Sequence, residues 1–348
     1  MLQPVTTTQT AILSPHRIIA ALGLTTRLTW RDRLQNAAIR CGVGRNRAVF
    51  PPGLYFVGKP DNTSPVLVTA NYILTVNMVR RELNGVHAWL LIVDTGGVNV
   101  WCAAGKGRMN ASVVAKALST FRVADVSPEG ILVLPQLSAS GIDGNELGRL
   151  TGRRVVFGPV YARDIPRFLS SGMVKDASMR DIHFTAPERA VLVPVEFAHS
   201  GIAHLAALLL ALPVSLPADG QFPGRFIALI IYNEASLLVS LILFPLALPF
   251  LPGKYFSVKG MVLHILWTVC VLLVAGKPAG LGYLSLISSI AIFGAVSSYI
   301  AMNFTGSTTY TNQNGVIQEV KRSLPFLALT LATGIATTII HLVRVLNR

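Results

Sequence analysis

The sequence predicts two parts of different fold class: a doubly wound α/β domain, then an all-α membrane domain of five helices. The 348 residues are 52% hydrophobic and only 13% charged, which is too apolar for a wholly soluble chain. Arg and Lys are scattered through the first half, whereas runs of Leu, Ile, Val and Ala dominate from about Phe197 onward. From Pro65, short β-branched runs alternate with longer amphipathic stretches, a pattern typical of βαβ units.

The first 50 residues show no strong hydrophobic period, and we expect a poorly defined arm with one helix around Trp30–Ile39. The apolar run 18–22 is shorter than the hydrophobic region of a signal peptide. We therefore place the α/β domain that follows, residues 51–196, in the cytoplasm, and the membrane domain at 197–348.

The alternation within 65–195 defines the order of strands and helices. Strands are expected at 66–69, 88–93, 131–134, 155–157 and 190–195. Helices are expected at 74–83, 100–118, 145–150 and 164–169. Strands alternating with helices in this way form a parallel sheet covered on both faces, a Rossmann-like arrangement.

Three of the expected strand ends carry unusual residues: Val-Thr-Ala-Asn at 68–71, Val-Asp-Thr-Gly-Gly at 93–97 and Leu-Pro-Gln-Leu at 134–137. In doubly wound sheets, ligands bind beyond the carboxyl ends of the strands. We therefore expect these three segments to face one crevice.

Beyond Phe197, five apolar segments approach the roughly 20 residues that a membrane-spanning helix needs. They lie at about 197–217, 225–250, 260–276, 281–303 and 324–345. Glu234 falls within the second segment, where an ionisable side chain is costly. It is therefore either a functional carboxylate or a group that lies near the interface or hydrogen-bonds a neighbouring helix.

Charge and cysteine content exclude several function classes. The formal charge of +14 does not indicate nucleic-acid binding, because the cations are scattered and no aromatic run interleaves them. Cys41, Cys102 and Cys270 are too few and too far apart for a disulfide framework. They are also too few for an iron–sulfur cluster held by this chain alone, since such clusters take about four cysteines.

Residues 99–106, Asn-Val-Trp-Cys-Ala-Ala-Gly-Lys, are the strongest candidate site. Asn99 follows Gly96-Gly97 after a strand and is a favoured N-cap, which places Cys102 at the third helical position. Free N–H groups and the positive end of the helix dipole favour an anion there. Lys106, four residues on, adds a second reason for a thiolate.

The residues around Cys102 favour a bulky ligand. Ala103, Ala104 and Gly105 are small enough to let a planar partner approach the helix, and Trp101 can pack against it. A lone cysteine is more often a buried small hydrophobe, but here cap, thiol, small triplet and lysine occur together. A phosphate-binding turn lacks its glycines, and a cysteine hydrolase lacks a nearby His. The pattern therefore favours an activated thiolate at the ligand-binding edge of the sheet.

The string 99–106 resembles the signature of the mercury-methylating corrinoid proteins, the HgcA family, which reads N-(V/I)-W-C-A-(A/G)-G-K. All eight positions match. The resemblance extends to the segments at 68–72, 134–137, 157–160, 164–166 and 303–307. It covers most of residues 50–345, including the five predicted spans, which the family also has.

The resemblance implies that the soluble domain binds a cobalamin-type corrinoid with its own base displaced. The domain would be similar to the cofactor domain of the corrinoid iron–sulfur protein of the acetyl-CoA pathway. Cys102 would be the lower axial ligand to cobalt. The other implied cofactor contacts are Thr69, Thr75, Asn99, Val100, Trp101, Ala103, Ala104, Gly105 and Lys106, with Gln136 and Gly158 near the cofactor tail.

The implied activity is a corrinoid-dependent methyltransferase that passes a methyl group from methyl-cobalt(III) corrinoid to Hg(II), forming methylmercury. A methyl-folate-dependent system would donate the methyl group, and a ferredoxin-like iron–sulfur protein of the HgcB type would supply electrons. The protein would be multi-pass in the cell inner (cytoplasmic) membrane, with the corrinoid domain in the cytoplasm. Two alternatives remain: a membrane-anchored corrinoid methyl carrier for another acceptor in one-carbon metabolism, and a transporter with a regulatory cytoplasmic domain.

Overall fold

The computed structural model describes residues 7–9, 12–14, 17–19, 21–216, 222–276, 282–308, 310–311 and 313–347. The chain divides into two compact units, Met1–Ile182 and His183–Arg348. Among the described residues, the strands all lie in the first unit and the long helices in the second. Residues 183–196, which the sequence pattern placed in the α/β domain, group with the helical unit.

The α/β unit alternates short strands with short helices. Its strands are β1 (Thr7–Gln9), β2 (Ile12–Ser14), β3 (Arg17–Ile19), β4 (Leu22–Leu24), β5 (Gly53–Val57), β6 (Val66–Ala70), β7 (Ala88–Val93), β8 (Leu132–Leu134) and β9 (Val155–Phe157). Its α-helices are α1 (Trp30–Arg40), α2 (Ile73–Glu82), α3 (Val100–Gly105), α4 (Ala111–Thr120), α5 (Gly144–Thr151) and α6 (Ile165–Ser170).

The main sheet is mixed, with the strand order β1-β4-β5-β7-β6-β8-β9. Strand β6 is parallel to both β7 and β8, and β8 is parallel to β9. The predicted parallel arrangement is confirmed for these four strands. Strand β5 runs antiparallel to β7, with Leu54 opposite Leu91, so the prediction of a purely parallel sheet is wrong.

Helices cover both faces of this sheet because its central strands are apolar on both sides. Val66 and Val68 of β6 belong to one core, which includes residues of α3, α4 and α5. Leu67, between them, belongs to the other core, which includes residues of α1, α2 and α6. The two cores leave the carboxyl edge of the strands free to carry polar residues.

The helix expected at 100–118 is two helices. Helix α3 ends at Gly105, and Gly107 takes a left-handed conformation with φ +68°. The Oδ1 atom of Asn110 then accepts the N–H of Val113 at 2.9 Å and caps α4. A left-handed glycine followed by an N-cap asparagine stops one helix and begins the next. The cysteine motif is therefore confined to a six-residue helix.

The expected N-terminal helix is confirmed as α1, and it is firmly attached to α2. Thr29 and Asp32 form a capping box at its start. The Asp32 carboxylate also pairs with Arg80 of α2 at 2.8 Å, and both side chains are buried. Burial raises the pKa of Asp32, but hydrogen bonds from Thr29 and Arg80 outweigh it and hold the pKa below its usual 3.8.

The helical unit is built from α7 (Ala186–Ala190), α8 (Val193–His199), α9 (Gly201–Ser215), α10 (Phe222–Leu238), α11 (Phe244–Ala247), α12 (Phe256–Val274), α13 (Tyr283–Asn303) and α14 (Gln313–Leu346). A π-helical segment, Val239–Leu243, joins α10 to α11.

The strand expected at 190–195 is wrong, because α7 and α8 occupy this stretch. Thr185 caps α7, and its N–H donates to Glu188 at 2.7 Å. Pro187 and Pro194 each lie in the first turn of a helix, a position that proline favours. These start signals outweigh the β-branched valines that suggested a strand.

Among the described residues, four helices are long and apolar enough to cross a membrane: Phe222–Ala247, Phe256–Val274, Tyr283–Asn303 and Asn314–Leu346. They correspond to the second to fifth predicted spans, although residues 277–281, between two of them, lie outside the described residues. The first predicted span, 197–217, ends at residue 217, which lies outside the described residues. Its helices bend by 58° between Ala186–His199 and Gly201–Ser215, so a fifth span requires that this bent pair crosses as one.

Polar side chains pair across neighbouring helices of this unit. The hydroxyls of Ser240 and Ser297 lie 2.7 Å apart, as do those of Tyr232 and Thr268. The Oε2 atom of Glu234 lies 2.5 Å from Nδ1 of His204 on α9. Glu234 thus hydrogen-bonds a neighbouring helix, which is one of the two interpretations that the sequence left open.

Candidate functional site

The candidate site lies at the carboxyl ends of β6, β8 and β9. In the sheet, β6 lies between β7 and β8. The chain passes from β6 to β7 on one side of β6, and then crosses back to form β8 on the other side. Such a reversal opens a crevice between the two strands, where ligands of α/β sheets bind. Of the three segments expected to face one crevice, 68–71 and 134–137 contribute residues to the cavity at this edge, whereas 93–97 contributes no lining residue and is instead hydrogen-bonded to Asn71.

A cavity of about 310 Å³ occupies this edge. Its volume lies at the lower end of the range of about 300–1,000 Å³ that is common for ligand pockets. Its walls are mainly apolar. The lining residues are Leu67, Val68, Thr69, Thr75, Met78, Val79, Asn99, Val100, Trp101, Val133, Leu134, Pro135, Leu137, Gly158, Pro159, Val160, Ala162 and Ile165.

Thr69 is the chemically unusual residue of the lining. It is 2% exposed, and its hydroxyl has no hydrogen-bond partner in the part of the chain that the structure describes. A buried hydroxyl without a partner costs about 1–3 kcal/mol. A ligand that offers the hydroxyl a donor or acceptor would remove this cost, so Thr69 marks a polar contact point in an otherwise apolar wall.

Asn71, just beyond β6, fixes the loop that leads from β7 into α3. Its Oδ1 atom accepts the N–H groups of Thr95 at 2.9 Å and Gly97 at 3.0 Å. Its amide nitrogen donates to Asp94 at 2.9 Å. Asn71 is fully buried, so these bonds are shielded from water. The start of α3 is therefore tied to the end of β6.

Helix α3 begins as the sequence predicted. The Oδ1 atom of Asn99 accepts the N–H of Cys102 at 2.9 Å, which makes Asn99 the N-cap and Cys102 the third helical residue. Asn99, Val100 and Trp101 line the cavity, and Trp101 is 37% exposed. Cys102 is half-buried and free, one residue beyond the lining set.

The small residues after Cys102 pack against the protein itself. Ala103 and Ala104 are buried, and a Cβ atom added to Gly141 would come within 2.5 Å of the carbonyl oxygen of Ala104. These small residues therefore let the loop at 138–142 approach α3 closely. Gly105 and Lys106 are exposed and end the helix.

The two residues expected near a cofactor tail lie in different settings. Gly158 lines the cavity, and a Cβ atom there would meet Val133 at 3.1 Å. Gln136 is outside the lining set, and its side-chain oxygen accepts a hydrogen bond from Lys175. Burial and the nearby Arg180 lower the pKa of Lys175.

The structure thus brings six of the predicted site residues to one cavity: Thr69, Thr75, Asn99, Val100, Trp101 and Gly158. Cys102, Ala103, Ala104, Gly105, Lys106 and Gln136 lie outside its lining. The sequence argument missed the apolar wall formed by α2, α6 and the β8 end, including Met78, Leu137 and Ile165. It also missed the role of Asn71, although it singled out the strand end that contains this residue.

Chemically, this arrangement combines an apolar slot, one unpartnered hydroxyl and a half-buried thiol on the adjoining helix turn. The slot can bury an apolar or amphipathic group, and the thiol is a soft donor that this edge can offer to a metal. Among the described residues, no group of three or more His, Cys, Asp or Glu side chains is placed to hold a metal ion.

Comparisons with known proteins relate this unit to a delta-subunit family and to gamma subunits. Residues 45–169 match the family model of the CO dehydrogenase/acetyl-CoA synthase delta subunit, CdhD. The acetyl-CoA decarbonylase/synthase complex subunit gamma of Methanopyrus kandleri is 34% identical over 120 residues. Subunit gamma 2 of Methanosarcina thermophila is 38% identical over 117 residues, and the gamma subunit of Methanocaldococcus jannaschii is 40% identical over 91.

These matches cover limited parts of both partners. They span 34%, 32% and 26% of this chain and 26%, 25% and 19% of the three relatives, in the order above. The chain thus spans about a quarter or less of the length of the curated relatives that it matches. The matched family-model segment, 45–169, contains the cavity and the cysteine motif. The α/β unit is therefore a domain related to these subunits.

Proposed function

We propose that the α/β unit binds a corrinoid at its strand-end cavity and carries a methyl group, with Cys102 as the axial ligand to cobalt. The observation that carries the proposal is the junction of cavity and motif. Asn99, Val100 and Trp101 line the cavity, and the thiol of Cys102 follows them in the same helix turn. The relationship of residues 45–169 to acetyl-CoA decarbonylase/synthase subunits supports the same class of domain.

The residues present fit such a group. Thr69 offers a buried hydroxyl without a partner, and Gly158 leaves the space that a side chain would fill. The cavity of about 310 Å³ is small for an entire corrinoid, so it would take part of the cofactor. Trp101, partly exposed at the cavity, offers an aromatic surface to the remainder.

A bound corrinoid supplies a cobalt centre that accepts and releases methyl groups. The chain's own residues bind it, orient it and set the axial donor. Asn71 accepts the N–H of Gly97 and Asn99 accepts the N–H of Cys102, so the backbone that carries the thiol is fixed before any ligand binds. A thiolate is an electron-rich donor, and axial-ligand identity is one of the main means by which a protein tunes a metal cofactor.

We further propose Hg(II) as the methyl acceptor, which makes the protein a mercury methyltransferase. This step rests on the complete eight-residue match of 99–106 to the HgcA signature. In this proposal the helical unit holds the protein in the inner membrane, with the α/β unit in the cytoplasm. A ferredoxin-like protein of the HgcB type supplies electrons, and a methyl-folate-dependent system supplies the methyl group.

A second candidate is a membrane-anchored corrinoid carrier that gives its methyl group to another acceptor. The printed names of the relatives favour it, because those relatives are subunits of an acetyl-CoA decarbonylase/synthase complex. The two candidates share the cofactor site and differ only in the acceptor.

The test measures methylmercury formation by the full-length protein supplied with corrinoid, a methyl-folate donor system and a reduced ferredoxin-like protein. We expect the wild type and Cys41→Ala to form methylmercury, since Cys41 is exposed and far along the chain from the motif. Cys102→Ala is expected to lose the activity. Methyl transfer to another acceptor without mercury turnover would favour the carrier, and an active Cys102→Ala would contradict both candidates.

A further inference from the structure

One exposed face of α1 combines cations with large apolar side chains. We call it the α1 surface and define it by Arg27, Trp30, Arg31, Arg33, Leu34 and Arg40, together with Arg81 of α2. Residues 25–47 contain six arginines and a single acidic residue, Asp32. Because Asp32 is buried against Arg80, its charge does not offset the arginines on the surface.

Four of these cations border one depression. Arg27, Arg33, Arg40 and Arg81 line a surface hollow of about 680 Å³. Arg81 pairs with its neighbour Glu82 at 2.6 Å. Asn36 and Asn84 line the same hollow and add amide groups. The guanidinium groups are suited to phosphate oxygens, which they bind with two parallel hydrogen bonds.

The apolar part of the α1 surface is unusual for a soluble face. Trp30 is 68% exposed and Leu34 is 63% exposed, one helical turn apart. The guanidinium of Arg31 lies 5.4 Å from the centre of the Trp30 ring. Helices that lie in a membrane interface place Trp and Leu beside Arg in this manner, with the apolar groups entering the headgroup region.

We propose that the α1 surface docks on the anionic phospholipid headgroups of a bilayer. Soluble phosphate could satisfy the arginines but not Trp30 and Leu34, which need an apolar environment. An acidic protein would have to supply an apolar pocket as well. A bilayer supplies both the anionic phosphates and an apolar interior. The four apolar helices of the same chain would anchor the protein to a bilayer and so raise its effective concentration. The inference rests on the proposed membrane location and does not require the corrinoid.

The test uses the full-length protein in lipid nanodiscs whose acyl chains carry bromine, which quenches nearby tryptophans. The signal of Trp30 is the difference between the wild type and Trp30→Phe, because Trp89, Trp101 and Trp267 also fluoresce. We expect Trp30 to be quenched in discs that contain phosphatidylglycerol. In discs of phosphatidylcholine alone, the quenching should be at least about twofold weaker.

A charge-removal variant and a matched control test the role of the arginines. In Arg27→Gln/Arg33→Gln/Arg40→Gln, three cations are lost and docking is expected to weaken by about 100-fold, which removes the quenching of Trp30. The control Lys116→Gln/Arg149→Gln/Arg154→Gln loses the same charge at exposed positions of α4, α5 and the turn before β9. It is expected to keep the quenching.

Several results would overturn the proposal. These are equal quenching in both lipids, no quenching in either, or the same loss in the control variant. Protection of Trp30 from a soluble quencher by inorganic phosphate or by polyglutamate, in phosphatidylcholine discs, would assign the surface to a soluble phosphate or an acidic protein instead. A protein that does not enter the discs would contradict the membrane location and the docking with it, but would leave the corrinoid site untouched.

Discussion

The two units of this protein use buried polar side chains differently. In the α/β unit, polar residues gather at one edge of the sheet, where Asn71 organises a loop and Thr69 has no partner. In the helical unit, polar pairs are spread along helix contacts, as at Ser240–Ser297 and Tyr232–Thr268. Buried polar atoms without a hydrogen-bond partner occur among the described residues of both units, as at Thr69 and Ser298. It is the concentration of polar residues beside a cavity that indicates a ligand site, whereas hydroxyls paired between helices hold those helices together.

This comparison predicts large mutational effects in the α/β unit and small ones in the helical unit. We expect the largest from Asp32→Asn, which leaves the buried Arg80 guanidinium without its counter-ion. Breaking one side of a buried ion pair costs about 3–5 kcal/mol. Hydrogen exchange of the α1 amides would report the loss, and Glu129→Gln, an exposed carboxylate elsewhere, should leave exchange unchanged.

The same ion pair predicts an acid-sensitive α1. The pKa of Asp32 in the folded protein lies below 3.8, its value without these contacts, so the carboxylate stabilises the fold fully above that value. The contribution is lost as the pH falls from about 4 through the lowered pKa. Asp32→Asn should remove this part of the pH dependence. A wild-type α1 that is protected equally at pH 3 and pH 6 would contradict the pairing.

The next largest effect is expected from Asn71→Ala. It removes the acceptor of the buried Thr95 N–H group and of the half-buried Gly97 N–H group. At about 1–3 kcal/mol for each such group, the loop at 94–98 should lose about 3 kcal/mol. We expect faster hydrogen exchange in residues 94–102 and weaker corrinoid binding. Unchanged exchange there would show that Asn71 does not hold the loop.

A smaller and opposite pair of effects is expected from Thr69→Val. Since the hydroxyl has no protein partner, valine should leave the α/β unit as stable as before or more stable by about 1 kcal/mol. Corrinoid affinity, measured by titration of the cofactor absorbance, should fall by about five- to tenfold. Thr120→Val, at the exposed end of α4, is the matched control and should change neither. A Thr69→Val protein with full affinity would remove Thr69 from the site.

The smallest effect is expected in the helical unit. Ser240→Ala removes one hydroxyl pair with Ser297, and such pairs in membrane proteins average about 0.6 kcal/mol. A double-mutant cycle with Ser297→Ala would measure the coupling. A coupling several times larger would mean that this pair does more than join two helices.

The sequence predicted those features that depend on nearby residues. Strands β7 and β9 lie at the expected bounds, because each is a short apolar run between turn residues. The cap at Asn99 followed from residue type alone, since asparagine has a strong preference for this position. The cavity edge could be predicted because parallel strands end at the same side of a sheet.

The features that were missed depend on residues far apart in the chain. The hydrogen bonds of Asn71 reach residues 24 and 26 positions further along the chain, and the packing of Gly141 on Ala104 joins a loop to α3. Periodicity carries no information on such contacts. Strand β5 escaped notice, and both of its partners in the sheet, β4 and β7, are distant from it along the chain. Residues 186–199 are helical because helix caps and first-turn prolines outweigh the preference of their valines for a strand.

The most direct test of the central claim is X-ray absorption at the cobalt edge of the corrinoid-loaded protein, compared between wild type and Cys102→Ala. The account predicts a sulfur neighbour to cobalt in the wild type and in Cys41→Ala, and its loss in Cys102→Ala with the cofactor still bound. A sulfur signal that survives in Cys102→Ala, or that is absent from the wild type, would contradict the assignment of Cys102 as the cobalt ligand.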